Sequence, residues 1–210
     1  MSYVSGDGKP RRKIVLFIVG IIIFFAALYV ATDVANFVKL DILKYFRIIA
    51  IVGLIIQIIA IYKLRVYSKY YVFSFCAVIL DLIIVTPYIV FLLMNDLNPT
   101  AYPWLPDALK ACNIAEVVAE TLIMVFFFVA TDELAEQSFH GMGKLTVILI
   151  IVYVLLAAVE VTSGVLTWMG VVLPDGWYVD IILKIISVST AIKAIGTIAF
   201  LICALIYIKD

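Results

Sequence analysis

The chain has 210 residues, 66% of them hydrophobic, and its 15 basic and 15 acidic residues cancel to a formal net charge of zero. That apolar share, with a mean hydropathy of +1.22, is far above a soluble domain's and assigns the chain to a membrane. Zero net charge offers no basic field for nucleic acid, and a single histidine, His140, excludes haem held by paired histidines and argues against a zinc site.

Residues 1–13 form a short polar segment that ends in Lys9, Arg11, Arg12 and Lys13. The apolar run after it starts as a signal peptide would, but no clear small-residue cleavage site closes it. A retained first helix over 14–32 is therefore predicted. Between 33 and 47, charges mix with Phe37, Val38, Ile42 and Phe46, the pattern of a helical connection at the membrane interface. A second span over 43–62 has Gln57 as its only strongly polar interior residue. Lys63, Arg65 and Lys69 follow among Tyr62, Tyr67, Tyr70 and Tyr71, a basic and aromatic link of the kind that anchors helices at an interface.

The third predicted span, 71–95, carries Asp81 near its middle and Pro87 beyond it. Three prolines and Trp104 make 96–107 a segment that cannot continue a helix. In the fourth span, 108–131, Glu116 and Glu120 lie one turn apart on the same face as Asn113. Residues 132–144 read as the most polar loop and contain His140. The fifth span, 145–173, is long enough to tilt or to break near Gly164 or Gly170. A Pro174-Asp-Gly-Trp177 turn then leads to a sixth span, 178–208, with Lys193 within it and Asp180 and Lys184 near its outer end as an expected interfacial ion pair.

The expected fold is thus all-α: a polytopic integral membrane protein with a cytoplasmic segment 1–13 and a six-helix domain 14–208. Six spans put both termini on one side. Lys9, Arg11, Arg12, Lys13, Lys63, Arg65, Lys69, Lys144 and Lys209 fall on that side, against Lys39, Lys44, Arg47, Lys110 and Lys184 on the other. The positive-inside rule then makes both termini cytoplasmic, in a multi-pass protein of the cell membrane.

At about 1.5 Å of rise per residue, Asp81, Glu120, Glu160 and Lys193 reach a similar depth near the midplane, with Glu116 a turn nearer the outer face. Ionisable groups at that depth are costly and face a protein interior, a cavity or a partner charge. One lysine can neutralise one acid, which leaves carboxylates in excess, and such groups exchange protons or cations. The expected function is an ion- or proton-coupled transporter or channel, with Asp81, Glu116, Glu120 and Glu160 along the path and Lys193 as counter-charge. A purely structural use of the same charges, fixing helix register, is the competing reading. It goes with a second expectation, an accessory or structural subunit of a larger membrane complex. A membrane-embedded enzyme ranks third: no nucleophile elbow, zinc-protease motif, P-loop or dinucleotide fingerprint occurs, and no catalytic residue is assigned.

Ala27, Ala31 and Ala35, four residues apart, line one face of the first helix and permit close helix contact. This pattern resembles the alanines on the first span of the vitamin-uptake S-components of energy-coupling-factor transporters, which also have six spans. The resemblance covers three residues and a span count, and implies a substrate-binding membrane subunit as a further alternative. Asp81-x5-Pro87 followed by a late lysine is similar in outline to the microbial rhodopsins, but their retinal lysine sits on a seventh span and six are predicted here. Small residues around Lys193, among them Ser187, Ser189 and Thr190, suit close packing or a lined pathway. Cys76, Cys112 and Cys203 have no paired spacing and read as small buried hydrophobes. No cofactor is expected, and a metal site is left open. The expected partners are the lipid bilayer, protons or cations, and a second copy or a membrane-complex subunit.

Overall fold

The computed structural model describes residues 9–31, 35–39, 41–98, 101–137, 141–171 and 177–208. Most of the N-terminal segment, His140 and the 174–176 turn lie outside the described residues. So do the side chains of Ala35, Asp180, Ser187 and Thr190, and with Asp180 the expected ion pair to Lys184.

All regular structure among the described residues is helical. The order is α1 (Pro10–Tyr29), α2 (Ala35–Val38), a 3₁₀ turn (Asp41–Phe46), α3 (Arg47–Leu64), α4 (Lys69–Leu97), α5 (Leu105–Gln137), α6 (Gly143–Trp168) and α7 (Trp177–Tyr207). A helix pairs its own backbone groups, which is why apolar runs of this length adopt it in lipid. Five helices, α1 and α3 to α6, are long and apolar enough to cross a bilayer; in α7 the described apolar stretch is Ile195–Tyr207. Neighbours in sequence pack side by side from α1 through α3, α4, α5 and α6 to α7. Only a few contacts join α7 back to α1.

Several boundaries move from those expected. The first helix starts at Pro10 rather than residue 14, because proline at the first helical position has no amide to leave unpaired. The second begins at Arg47 after the 3₁₀ turn, where the Arg47 guanidinium lies 2.5 Å from Asp96 Oδ2 and Lys44 is 3.9 Å from Oδ1. This cluster ties the start of α3 to the end of α4. Pro87 sits inside α4 without ending it, and the neighbouring Thr86 hydroxyl donates to the Leu82 carbonyl at 2.7 Å.

The largest correction is at the end of α5. Residues 132–137, expected in a loop, continue the helix. Asp132 Oδ1 accepts the Met142 amide at 2.6 Å, and Glu133 Oε2 accepts the Ser68 hydroxyl, while Leu134 and Ala135 are buried. The charged residues find partners on adjacent segments, so their polarity does not break the helix. The fifth span is shorter than expected, because α6 ends at Trp168. Gly170, at φ +68°, closes it: its amide donates to Thr167 O and that of Val171 to Leu166 O, the paired bonds of a Schellman cap. Gly164, the other expected break, stays helical and packs closely on Ile114. Cys76, expected to be buried, faces outward, and Cys112 and Cys203 are half-buried.

Two apolar clusters fill the bundle at different depths. Toward the end that carries the chain termini, Phe17 stacks on Phe127 at 4.1 Å, Tyr71 meets Phe127 edge-on, and Phe128 contacts both Phe200 and Tyr153. Phe17, Phe127, Phe128 and Phe200 are completely buried, so this half has an aromatic layer for a floor. Nearer the other end, Phe24, Ala27, Ala50, Leu54, Val85 and Ile89 join only α1, α3 and α4. Ala27 and Ala31 are thus buried inside this chain's own fold.

Ser68 caps α4: its hydroxyl oxygen accepts the Tyr70 amide at 3.1 Å and its proton goes to Glu133. Ser68→Ala removes both bonds and is expected to cost about 1–2 kcal/mol, read as a lower Tm in detergent, whereas Ser68→Thr retains most of it. A wild-type Tm for the alanine variant would show the cap to be dispensable.

Candidate functional site

One face of α5 carries Lys110, Asn113, Glu116, Glu120, Ile123 and Met124 at three- and four-residue steps. All of them line a cavity of about 1200 Å³. Along these steps the lining changes from a lysine through an amide and two acids to Ile123 and Met124, which pack in one cluster with Phe127 and Phe128. Asp81 of α4, Glu160 of α6 and Lys193 of α7 line the same cavity, so the five ionisable residues singled out from sequence border one space.

They are not equivalent within it. Lys193 is 6% exposed, and its ammonium donates to Glu160 Oε2 at 2.8 Å, with Glu120 Oε2 at 3.7 Å. The other oxygen of Glu160 accepts the Ser189 hydroxyl, one turn before Lys193 on α7. One turn after Lys193, Thr197 shares a short hydrogen bond with the Tyr153 hydroxyl, which also donates to the Lys193 carbonyl at 3.2 Å. Ser189, Lys193 and Thr197 therefore form a stripe along α7 that pairs with Tyr153 and Glu160, seven residues apart on α6. Gly196 brings the two helices together here: a Cβ on it would lie 2.7 Å from Leu149. Both Glu160 oxygens are engaged. Glu120, with its side chain 30% exposed, shares the lysine from the cavity side.

Asp81 and Glu116 differ from these. Among the described residues no lysine or arginine forms an ion pair with either. Asp81 is 4% exposed, and its Oδ1 is buried without a hydrogen-bond partner. Gln57 of α3, also buried, lines the same cavity.

Tyr153 and Thr197 were not anticipated as site residues. Their signal was present, since a tyrosine seven residues before Glu160 and a threonine four after Lys193 share those residues' helix faces. Lys110 was read only for its charge, yet it lines the cavity.

The part of the lining that comes from α1 is mainly apolar, with Ile18, Ile21, Ile22, Phe24, Phe25 and Leu28 in it. Among the described residues no three His, Cys, Asp or Glu side chains converge as a metal-binding group. No protein-family model, curated protein sequence or solved structure matches this chain.

Proposed function

We propose that this chain is a six-span membrane carrier that exchanges protons for a cation through a cavity open on the non-cytoplasmic side. The observation that carries the reading is the shared cavity: ionisable groups from α4, α5, α6 and α7 all border it. A carboxylate holds either a proton or a cation, so Asp81, Glu116 and Glu120 are the coupling groups. Lys193, held by Glu160, is the fixed counter-charge that keeps Glu120 oriented toward the cavity. The aromatic floor supports a carrier over an open channel, because Phe17, Phe127, Phe128 and Phe200 are fully buried and packed in pairs across the bundle. Alternating access requires that layer to separate while the outer mouth closes. At about 1.5 Å of rise per residue, the 31 residues of α7 exceed the roughly 30 Å of a hydrocarbon core, which supports a sixth span. The basic residues at the terminal ends of the helices support cytoplasmic termini.

Proteoliposomes carrying a trapped pH dye test the reading, with sodium, potassium and tetraphenylphosphonium added outside in separate runs. Wild-type protein is expected to move protons against at least one of these cations. Asp81→Asn and Glu120→Gln are each expected to fall to the rate of protein-free liposomes. A wild type that never exceeds protein-free liposomes, or variants that match an active wild type, would remove the carrier reading.

A further inference from the structure

The cavity has two unlike walls, and the difference selects a ligand. The residues from α1 are almost wholly apolar, whereas α4 and α5 contribute Asp81, Lys110, Asn113, Glu116 and Glu120. Two lysines line the cavity, and both already face acids: Lys193 lies beside Glu160 and Glu120, and Lys110 lies 3.7 Å from Asp107. Asp81 and Glu116 are the acids left for an incoming charge. Asp81 lines the cavity, and its Oδ1 is buried without a hydrogen-bond partner, a desolvated acceptor that a cation held beside this carboxylate would satisfy.

The acids are spread along the wall and do not converge on a point. A compact metal ion needs several oxygens at fixed short distances. A bulky cation with dispersed charge needs only acidic surroundings and apolar surface for its body. Access fits such a molecule as well. Ile22 of α1 and Ile198 of α7 both line the cavity and are both exposed on the bundle surface. Few contacts join these two helices, so the gap between α1 and α7 is the entry route assigned to the ligand.

We infer that the cavity binds an amphipathic organic cation, with its positive centre against Asp81 and Glu116 and its apolar body along α1. This names the ligand class of the proposed carrier and rests on that reading only for transport, because binding is measured separately.

Equilibrium binding of radiolabelled tetraphenylphosphonium to the full chain in lipid nanodiscs tests it, with tetraphenylborate as a control of nearly the same shape and opposite charge. Saturable binding of the cation and none of the anion is expected. Asp81→Asn and Glu116→Gln should each weaken binding roughly tenfold to a hundredfold, as expected for loss of a charged partner. Glu116 is only partly buried, so its glutamine variant guards against misfolding in the Asp81 variant. Ile198→Trp, which narrows the gap to α1, should slow association. The inference is overturned by absence of saturable cation binding, by equal binding of the anion, or by wild-type affinity in both acid variants. Binding without flux would leave the inference and remove the carrier; proton-coupled sodium or potassium flux without tetraphenylphosphonium binding would do the reverse.

Discussion

Lys193→Met is expected to destabilise the fold by about 3–5 kcal/mol, the usual cost of removing one partner from a buried ion pair. Methionine fills the space of the lysine stem but takes away the ammonium that serves Glu160 at 2.8 Å and Glu120 at 3.7 Å. Two carboxylates then face each other across α5 and α6 with only the Ser189 hydroxyl as donor to Glu160. The double variant Lys193→Met with Glu160→Gln is expected to recover most of the loss, because the amide needs no counter-ion and can still accept from Ser189. Thermal unfolding of the single and double variants in one detergent measures both effects. Equal losses in the two would show that charge is not what makes Lys193 matter.

Gly53→Val is expected to cost at least the roughly 1–3 kcal/mol typical of overpacking, and to reduce the yield of folded protein sharply. The reason lies in the crossing of α1 and α3. A Cβ on Gly53 would lie 2.6 Å from the Phe24 backbone nitrogen and 2.8 Å from the Gly20 carbonyl oxygen. One on Gly20 would meet the Gly53 carbonyl at 2.9 Å. Backbone cannot rotate away as a side chain can, so the two helices must separate. Separation would open the contacts of Phe24 and Ala27 with Ala50 and Leu54, and would displace the apolar wall of the cavity. Gly143→Ala is the control, since its nearest neighbour is an ordinary 3.7 Å from the added atom. Size-exclusion profiles and Tm values for the two variants separate a specific crossing from a general intolerance of glycine replacement.

Much of this architecture was legible without coordinates. Runs of apolar residues bounded by Lys, Tyr, Pro and Trp mark membrane helices because lipid offers the backbone no partners. A constant rise per residue places Asp81, Glu120, Glu160 and Lys193 at one depth, and helical periodicity places Asn113, Glu116 and Glu120 on one face. The continuation of α5 through Asp132 and Glu133 was not legible. Polar residues in a helix and in a loop look alike until the partner is known, and here the partners are Ser68, 65 residues before Glu133, and the amide of Met142. The Gly20–Gly53 crossing was hidden for the same reason, since each glycine alone carries no sign of the other. The stripe Ala27 and Ala31 pointed to close contact on α1, and both are indeed buried.

The sequence by itself determined that the chain folds into long apolar helices and in what order, both of which depend on local properties: hydropathy and periodicity. It presented four acids and a lysine as one group. Only the tertiary structure separated them, assigning Glu160 wholly to Ser189 and Lys193, letting Glu120 share the lysine, and leaving Asp81 and Glu116 on the cavity lining with no lysine or arginine paired to them among the described residues. That division depends on how each helix is rotated about its axis and which neighbour it packs against. Those two quantities come from long-range packing, and no stretch of the chain encodes them alone.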